Sequence, residues 1–247
     1  MLLSIVIPCY NEENSIDELI DKSKFLTSNK SIEIIFINNG STDNTGNLLR
    51  KHKAGLPNNI VVKDIIQNIG YGFGIKTGLK IARGKYVGWT HSDLQTDLLD
   101  VYDCIKLLNK ESEKYLIIKG SRKNRKILEK IFSFSMEVFF SIIFLCNLKE
   151  INAQPSIYHR KVLDFVSSAP NDYLFDTFMY VVSKKLLFKE LRIPVFFKSR
   201  VHGKSHWNFG IIALVKFSLM NIIYSFKLRN FIKKRSDLKL LKIDKWE

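Results

Sequence analysis

The segment His91-Ser92-Asp93-Leu94-Gln95 places a carboxylate, and two residues on an amide oxygen, just after an apolar run that ends at Thr90. Oxygen ligands at that spacing can hold a hard divalent cation while leaving positions for water and a diphosphate. An Asp after a strand equally caps the helix that follows, and the segment alone leaves both readings open. A second candidate is weaker. Gly70-Tyr71-Gly72-Phe73-Gly74-Ile75-Lys76-Thr77 is glycine-rich, but it has neither the GxGxxG spacing of a dinucleotide site nor the GxxxxGK[ST] order of an ATPase phosphate loop. No HExxH or GxSxG motif occurs, so zinc-hydrolase and serine-nucleophile chemistry lack their signatures.

A cation site of this kind needs elements to hold it, and hydrophobic periodicity predicts them. Leu2 to Ile7, Ile32 to Ile37, Ile60 to Ile66, Lys85 to Thr90 and Tyr115 to Lys119 read as strands. Between them, helices are predicted from a cap at Asn14 or Ser15 to about Leu26, from about Asp43, from Gly72 to Ala82 and from Leu98 to Leu108. Such alternation predicts an α/β fold, a mostly parallel sheet with helices on both faces. Ligands of such sheets sit outside the carboxyl ends of the strands. Three polar loops follow those ends, Pro8 to Glu13, Asn38 to Thr45 and His91 to Asp97, and are expected to converge on one crevice. The remainder extends the same globule with a helix from Ile131 to Leu148, a short NAQPSIYHR segment, a helix from about Tyr173 to Leu187, a strand from Glu190 to Lys198 and a tail.

The chain has 247 residues, 39 Lys and Arg against 24 Asp and Glu, a net charge of +15 and 46% hydrophobic residues. That composition excludes a disordered or collagen-like chain and a polytopic membrane protein. Cys9, Cys104 and Cys146 are too few and too far apart for a disulfide framework or a CxxC metal site, so a reducing compartment is expected. The opening MLLSIVIPCYNEE lacks a basic region and meets acids at once, so no secretory signal is expected. The positive charge is uneven: Lys119 to Lys130 holds six basic residues and one acid, and Lys227 to Lys245 holds eight and two. Both blocks adjoin apolar stretches, Ile131 to Leu148 and Phe209 to Phe226, each interrupted by a charge. These read as interfacial or partly inserted helices, or as ordinary core helices with solvated flanks. Basic residues beside them suit an anionic membrane surface. A nucleic-acid partner is not expected, because no recognition motif accompanies the charge.

Six segments together carry a resemblance: IPCYNEE at 7–13, NNGSTDNT at 38–45, GYGFGIKTGLKIARGKYV at 70–87, SDLQ at 92–95, KGSR at 119–122 and RVHGKSHW at 200–207. In this order they resemble family 2 glycosyltransferases, most of all the dolichol- or polyprenyl-phosphate mannosyl- and glucosyltransferase group. The resemblance implies a GT-A-type, Rossmann-like fold over residues 1–207. Within it, 1–120 is the nucleotide-sugar half and 121–207 the acceptor half, and an amphipathic, basic, membrane-associating tail follows at 208–247. It implies a nucleotide-sugar donor, a Mg or Mn divalent cation and inversion at the anomeric carbon. The family's donor pocket falls on Pro8, Tyr10, Glu12, Ile37, Asn39 and Ser92, with Asn39 where the family usually has Asp. Its DxD motif falls on His91-Ser92-Asp93, so Asp93 and Gln95 match metal-contacting positions and His91 replaces the first carboxylate. Weaker metal binding is expected, with Mn²⁺ favoured over Mg²⁺. Arg122, Arg200 and Lys204 match basic positions that face phosphates, suited to a diphosphate leaving group.

The reaction so implied is in-line displacement of a nucleoside diphosphate by a lipid-linked acceptor, polyprenyl or dolichyl phosphate first among them, on the cytoplasmic face of a membrane. A phosphate acceptor is largely dianionic at neutral pH and needs no strong base. A sugar hydroxyl, as in cell-surface polysaccharide synthesis, needs one, and Asp172 or Asp176 is the candidate, though either also reads as a helix cap. The departures at His91 and Asn39 leave a catalytically inactive binding relative as a further alternative.

Overall fold

The continuous apolar runs at 3–9 and 32–39 fold as strands buried on both faces of a sheet, while the run at 60–65 is only partly covered. The computed structural model describes residues 1–124, 127–198 and 210–234. Its strands are β1 (Leu3–Cys9), β2 (Ile32–Asn39), β3 (Ile60–Ile65), β4 (Tyr86–Trp89), β5 (Leu116–Lys123), β6 (Ser156–His159) and β7 (Lys189–Phe196). Its helices are α1 (Ile16–Thr27), α2 (Thr45–Lys53), α3 (Tyr71–Leu79), α4 (Val101–Lys110), α5 (Ile127–Phe144), α6 (Phe175–Lys185) and α7 (Gly210–Lys234). The strands form one sheet in the order β3-β2-β1-β4-β6-β5-β7. All are parallel except β6, which runs antiparallel between β4 and β5. The expected α/β architecture is therefore present. The NAQPSIYHR segment, not assigned a strand from sequence, supplies β6.

Alternation along β1 shows how the sheet divides two cores. Leu3, Ile5 and Ile7 join residues of α1 (Leu19), α2 (Leu49) and α4 (Ile105) on one face. Val6 packs on the other face with Ile75 and Leu79 of α3, Phe140 of α5, Phe178 of α6 and Leu228 of α7. Gly78 lets α3 approach β1 closely: an added Cβ would sit 2.4 Å from a Val6 methyl. Helix α5 lies four residues earlier in the chain than the apolar stretch suggests, starting at Ile127 and ending at Phe144. Helix α7, which opens the expected tail, buries Leu228 and Ile232, and Phe231 packs against Phe178.

Candidate active site

Parallel register brings the ends of β1, β2 and β4 side by side, with Cys9 opposite Asn38 and Val6 opposite Trp89. The loops that follow are then tied to each other. The Ser41 hydroxyl accepts from the Asn11 N–H at 3.2 Å, and the Thr45 hydroxyl accepts from the Glu12 N–H at 2.8 Å, joining the first loop to the second. The Ser92 hydroxyl, buried, donates to the Pro8 carbonyl at 3.0 Å and joins the first loop to the third. Asn38 is pinned by donating to Asp64 at 2.7 Å and accepting from the Ser41 N–H. Two non-glycine residues here hold left-handed backbone, Asn11 (φ 55°) and Leu94 (φ 57°). Such backbone costs on the order of 1–2 kcal/mol per residue, and strain of this kind collects at functional loops. For Asn11 the side chain offsets part of it, its Oδ1 accepting from the Thr42 N–H at 2.8 Å.

Asp93 sits at the tip of the third loop, partly exposed, and its Oδ1 accepts from the Gln95 N–H at 3.1 Å. Gln95 pairs with Lys198, two residues beyond β7: its carbonyl accepts from the Lys198 N–H at 2.8 Å, and its side-chain amide donates to the Lys198 carbonyl at 3.3 Å. The His91 ring stacks on Tyr71, the first residue of α3, at 5.6 Å and 29°. Burial first, then the charges of Asp176 and Asp93, hold the Tyr71 phenol proton on well above the usual range. Its hydroxyl is nonetheless buried without a partner in hydrogen-bond geometry. The Asn39 amide, 2% exposed, donates to the Gly70 carbonyl at 3.1 Å, while its Oδ1 is also buried without a partner.

Of the remaining sequence-derived site residues, Tyr10 is exposed at the rim and Glu12 is half-buried, accepting from the Ser15 hydroxyl at 3.2 Å. Ile37 is wholly buried in the core beside α3, so only its backbone can face a ligand. The Arg122 N–H donates to Glu150 at 2.7 Å and its guanidinium lies over Phe197. Arg122 also lines a cavity of about 70 Å³ with Glu137, Tyr173, Thr177 and Asn221. Asp172 caps the turn before α6, accepting from the Leu174 N–H at 2.9 Å. Asp176 is 3% exposed and accepts from the Trp89 indole at 2.7 Å and from the Gln154 amide at 3.0 Å. A carboxylate so enclosed is poorly placed to take a proton from a diffusing acceptor. Arg200 and Lys204 lie outside the described residues.

Among the described residues no group of three or more His, Cys, Asp and Glu side chains is placed to hold a metal. His91, Asp93 and Gln95 offer one imidazole, one carboxylate and one amide. That donor set suits a divalent cation shared with a diphosphate rather than an ion caged by protein alone.

A profile described as glycosyl transferase family 2 matches residues 4–159. The chain belongs to this family. The dolichyl-phosphate beta-glucosyltransferase of Dictyostelium discoideum is 27% identical over 177 residues, covering 64% of this chain and 54% of that protein. The dodecaprenyl-phosphate galacturonate synthase of Rhizobium johnstonii is 29% identical over 168 residues, covering 65% and 48%. The chain thus spans about half the length of these curated relatives. Among solved structures, glucosyl-3-phosphoglycerate synthase from Mycobacterium tuberculosis, in complex with Mn²⁺, UDP and glucosyl-3-phosphoglycerate, aligns with a TM-score of 0.67 at 16% identity over 92% of this chain and 79% of that one. The likeness is to the fold, which is GT-A-type as expected.

Tyr71, Trp89 and Gln154 were not singled out from sequence. Tyr71 lies inside the glycine-rich segment that lacks phosphate-loop spacing. Its glycines serve packing instead: a Cβ at Gly72 would sit 2.6 Å from the Pro170 carbonyl, which fixes the start of α3 against the 170–172 loop.

Proposed function

We propose that this family 2 chain transfers a sugar, with inversion, from a nucleoside-diphosphate donor to a polyprenyl-phosphate-type lipid on the cytoplasmic face of a membrane. The observation that carries the reading is the knitting of three strand-end loops around Asp93, through the Ser92 to Pro8 and Glu12 to Thr45 bonds and the stack of His91 on Tyr71. Asp93, Gln95 and His91 would hold a divalent cation, Mn²⁺ or Mg²⁺, which when bound neutralises the departing diphosphate. Tyr10 offers an aromatic face to the base, while the enclosed Asn39 holds the start of α3 through the Gly70 carbonyl. Arg200 and Lys204 are assigned, by the family's motif, to the growing charge of the leaving group.

Two observations favour a lipid phosphate over a sugar hydroxyl. Asp176 is sealed in the core, which removes it as a base, and the exposed Asp172 has one carboxylate oxygen engaged as a cap. A phosphate dianion attacks without a base. Helix α5 also leaves Ile127, Ile131, Phe134, Val138 and Ile142 between 42% and 74% exposed, at helical spacing along one side, and Leu145 just after it is 77% exposed. Leu219, Ile222, Ile223 and Phe226 of the neighbouring α7 are likewise uncovered. No described helix is long and apolar enough to cross a membrane. Exposed apolar strips with Lys130, Lys149, Lys227 and Lys233 beside them fit a helix lying in an anionic surface. The test is incubation with radiolabelled nucleotide-sugars and membrane lipid extract. Label from one donor should enter the organic phase as an acid-labile lipid. Label only in a polysaccharide fraction supports the hydroxyl-acceptor reading, and no transfer from any donor supports an inactive relative.

A further inference from the structure

Asp176 gathers groups from distant parts of the chain around one buried carboxylate oxygen. The Trp89 indole and the Gln154 amide both donate to Oδ1, at 2.7 and 3.0 Å. Trp89 is locked in the core, stacked on Tyr158 at 5.1 Å and edge-on to Phe175 at 5.0 Å. Two residues beyond it, where β4 has ended, stands His91. Tyr71 is fixed independently, at a helix start held against the 170–172 loop by Gly70 and Gly72. The Lys76 ammonium of the same helix donates to the Ala169 carbonyl. The Tyr71 ring then forms the surface on which the His91 ring lies. His91 is therefore held from two sides, along the chain from Trp89, which Asp176 anchors, and by the ring of Tyr71 beneath it.

We propose that Asp176 and Tyr71 are positioning residues that fix the His91 ring, and with it the loop carrying Asp93, in the orientation that receives a cation-bound diphosphate. This rests on the reading of the Asp93 loop as the donor-phosphate site. The imidazole of a loop residue has two soft torsions, and a site held only by its own loop is too loose for ligation. A ring stacked on an aromatic that is itself clamped to a second element loses that freedom before the ligand arrives. Tyr71 is suited to the task because its ring, fixed at the start of α3, presents a flat face to His91. The arrangement also gives Asp176 a purpose other than proton abstraction: its two hydrogen bonds run to Trp89 and Gln154 within the core.

The test uses the full chain and four forms, wild type, Tyr71→Phe, Tyr71→Leu and Asp176→Asn, with the dissociation constant for UDP in saturating Mn²⁺ measured by calorimetry and GDP titrated in parallel. Tyr71→Phe retains the ring and should bind within about twofold of wild type. Tyr71→Leu removes the stack and should bind about 2- to 12-fold more weakly, the range that an aromatic pair is worth. It should also shift the His91 ring-proton resonances, while Tyr71→Phe leaves them near their wild-type positions. Asp176→Asn keeps an acceptor for Trp89 and should weaken UDP binding in the same direction, leaving the shape of the pH–rate profile unchanged. Equal UDP affinity in Tyr71→Leu and wild type overturns the proposal. So does an Asp176→Asn protein that binds UDP as tightly as wild type, and loss of the acidic limb of its pH profile would mark a general base instead. If wild type itself binds neither nucleotide, the donor-site reading falls and the positioning proposal with it; if wild type binds and Tyr71→Leu matches it, only the positioning proposal fails.

Discussion

Asn39→Asp restores the residue that the family usually carries, and the surroundings of this side chain make the restoration costly. Asn39 is 2% exposed, and its Nδ2 donates to the Gly70 carbonyl at 3.1 Å. Gly74 packs so closely that a Cβ there would lie 3.0 to 3.2 Å from the amide, so the side chain has little room to turn. A carboxylate in its place loses that bond, worth about 1 kcal/mol, and sets a charged oxygen against a carbonyl oxygen in a site shielded from water. With burial of the unpaired charge, the deficit should be about 2–4 kcal/mol at neutral pH. The pH dependence fixes the cause. Burial raises the folded carboxyl pKa above its unfolded value of about 3.9, so the folded form binds the proton first. The deficit is then full above the folded pKa and disappears below about pH 4, where the neutral acid again donates to Gly70. Urea denaturation of variant and wild type at pH 7.5 and 4.5 measures it, as the difference between the two proteins at each pH. A variant as stable as wild type at pH 7.5, or a deficit unchanged at pH 4.5, would refute the reasoning.

Further outcomes follow from other parts of the fold. Burial, then Lys114, Lys85 and Lys161, push the His159 imidazole down to about 4 from its ordinary 6.5. The unfolded chain therefore takes the proton first, stability is lost as pH falls from about 6.5 to 4, and between pH 7 and 5 this group should cost about 2 kcal/mol. His159→Asn, which can still accept from the Lys161 N–H, should flatten that part of the urea-stability profile; an unaltered profile contradicts the assignment. Turnover should reach half its maximum at lower Mn²⁺ than Mg²⁺, and His91→Asp should lower the Mg²⁺ requirement by roughly tenfold by adding a carboxylate ligand. Equal activity in both metals at low concentration counts against a role for His91 in ligation. Phe134→Ser combined with Ile142→Ser, both exposed on α5, should weaken sedimentation with anionic vesicles by at least roughly tenfold while leaving the melting temperature unchanged. Undiminished vesicle binding would exclude that face.

The strands and their order of appearance were legible because burial on both faces writes a continuous apolar run, as in Ile32 to Ile37. The crevice was legible too, since polar loops follow three of those runs. Strand β6 was not: Ser156–His159 is four residues long and half of them are polar, so neither length nor alternation distinguishes it from a loop. The core of the site was legible only by type. Asp93 announces itself by following a strand, whereas the link from Asp176 to Trp89 spans 87 positions and that from Asp176 to Gln154 spans 22. Local pattern carries no trace of such a contact. Asp176 also reads in sequence as a first-turn acid at a helix start, the same signal that Asp172 gives, and only burial separates the cap from the core carboxylate.

Asp93 decides the account. Mn²⁺-dependent release of nucleoside diphosphate from a nucleotide-sugar should be measured for wild type and Asp93→Ala, with melting temperatures compared to establish that both are folded. Loss of the carboxylate should lower kcat/KM by at least about 100-fold, equivalent to about 2.7 kcal/mol of transition-state stabilisation, with no change in melting temperature. A folded Asp93→Ala protein that releases nucleotide at the wild-type rate contradicts the central claim.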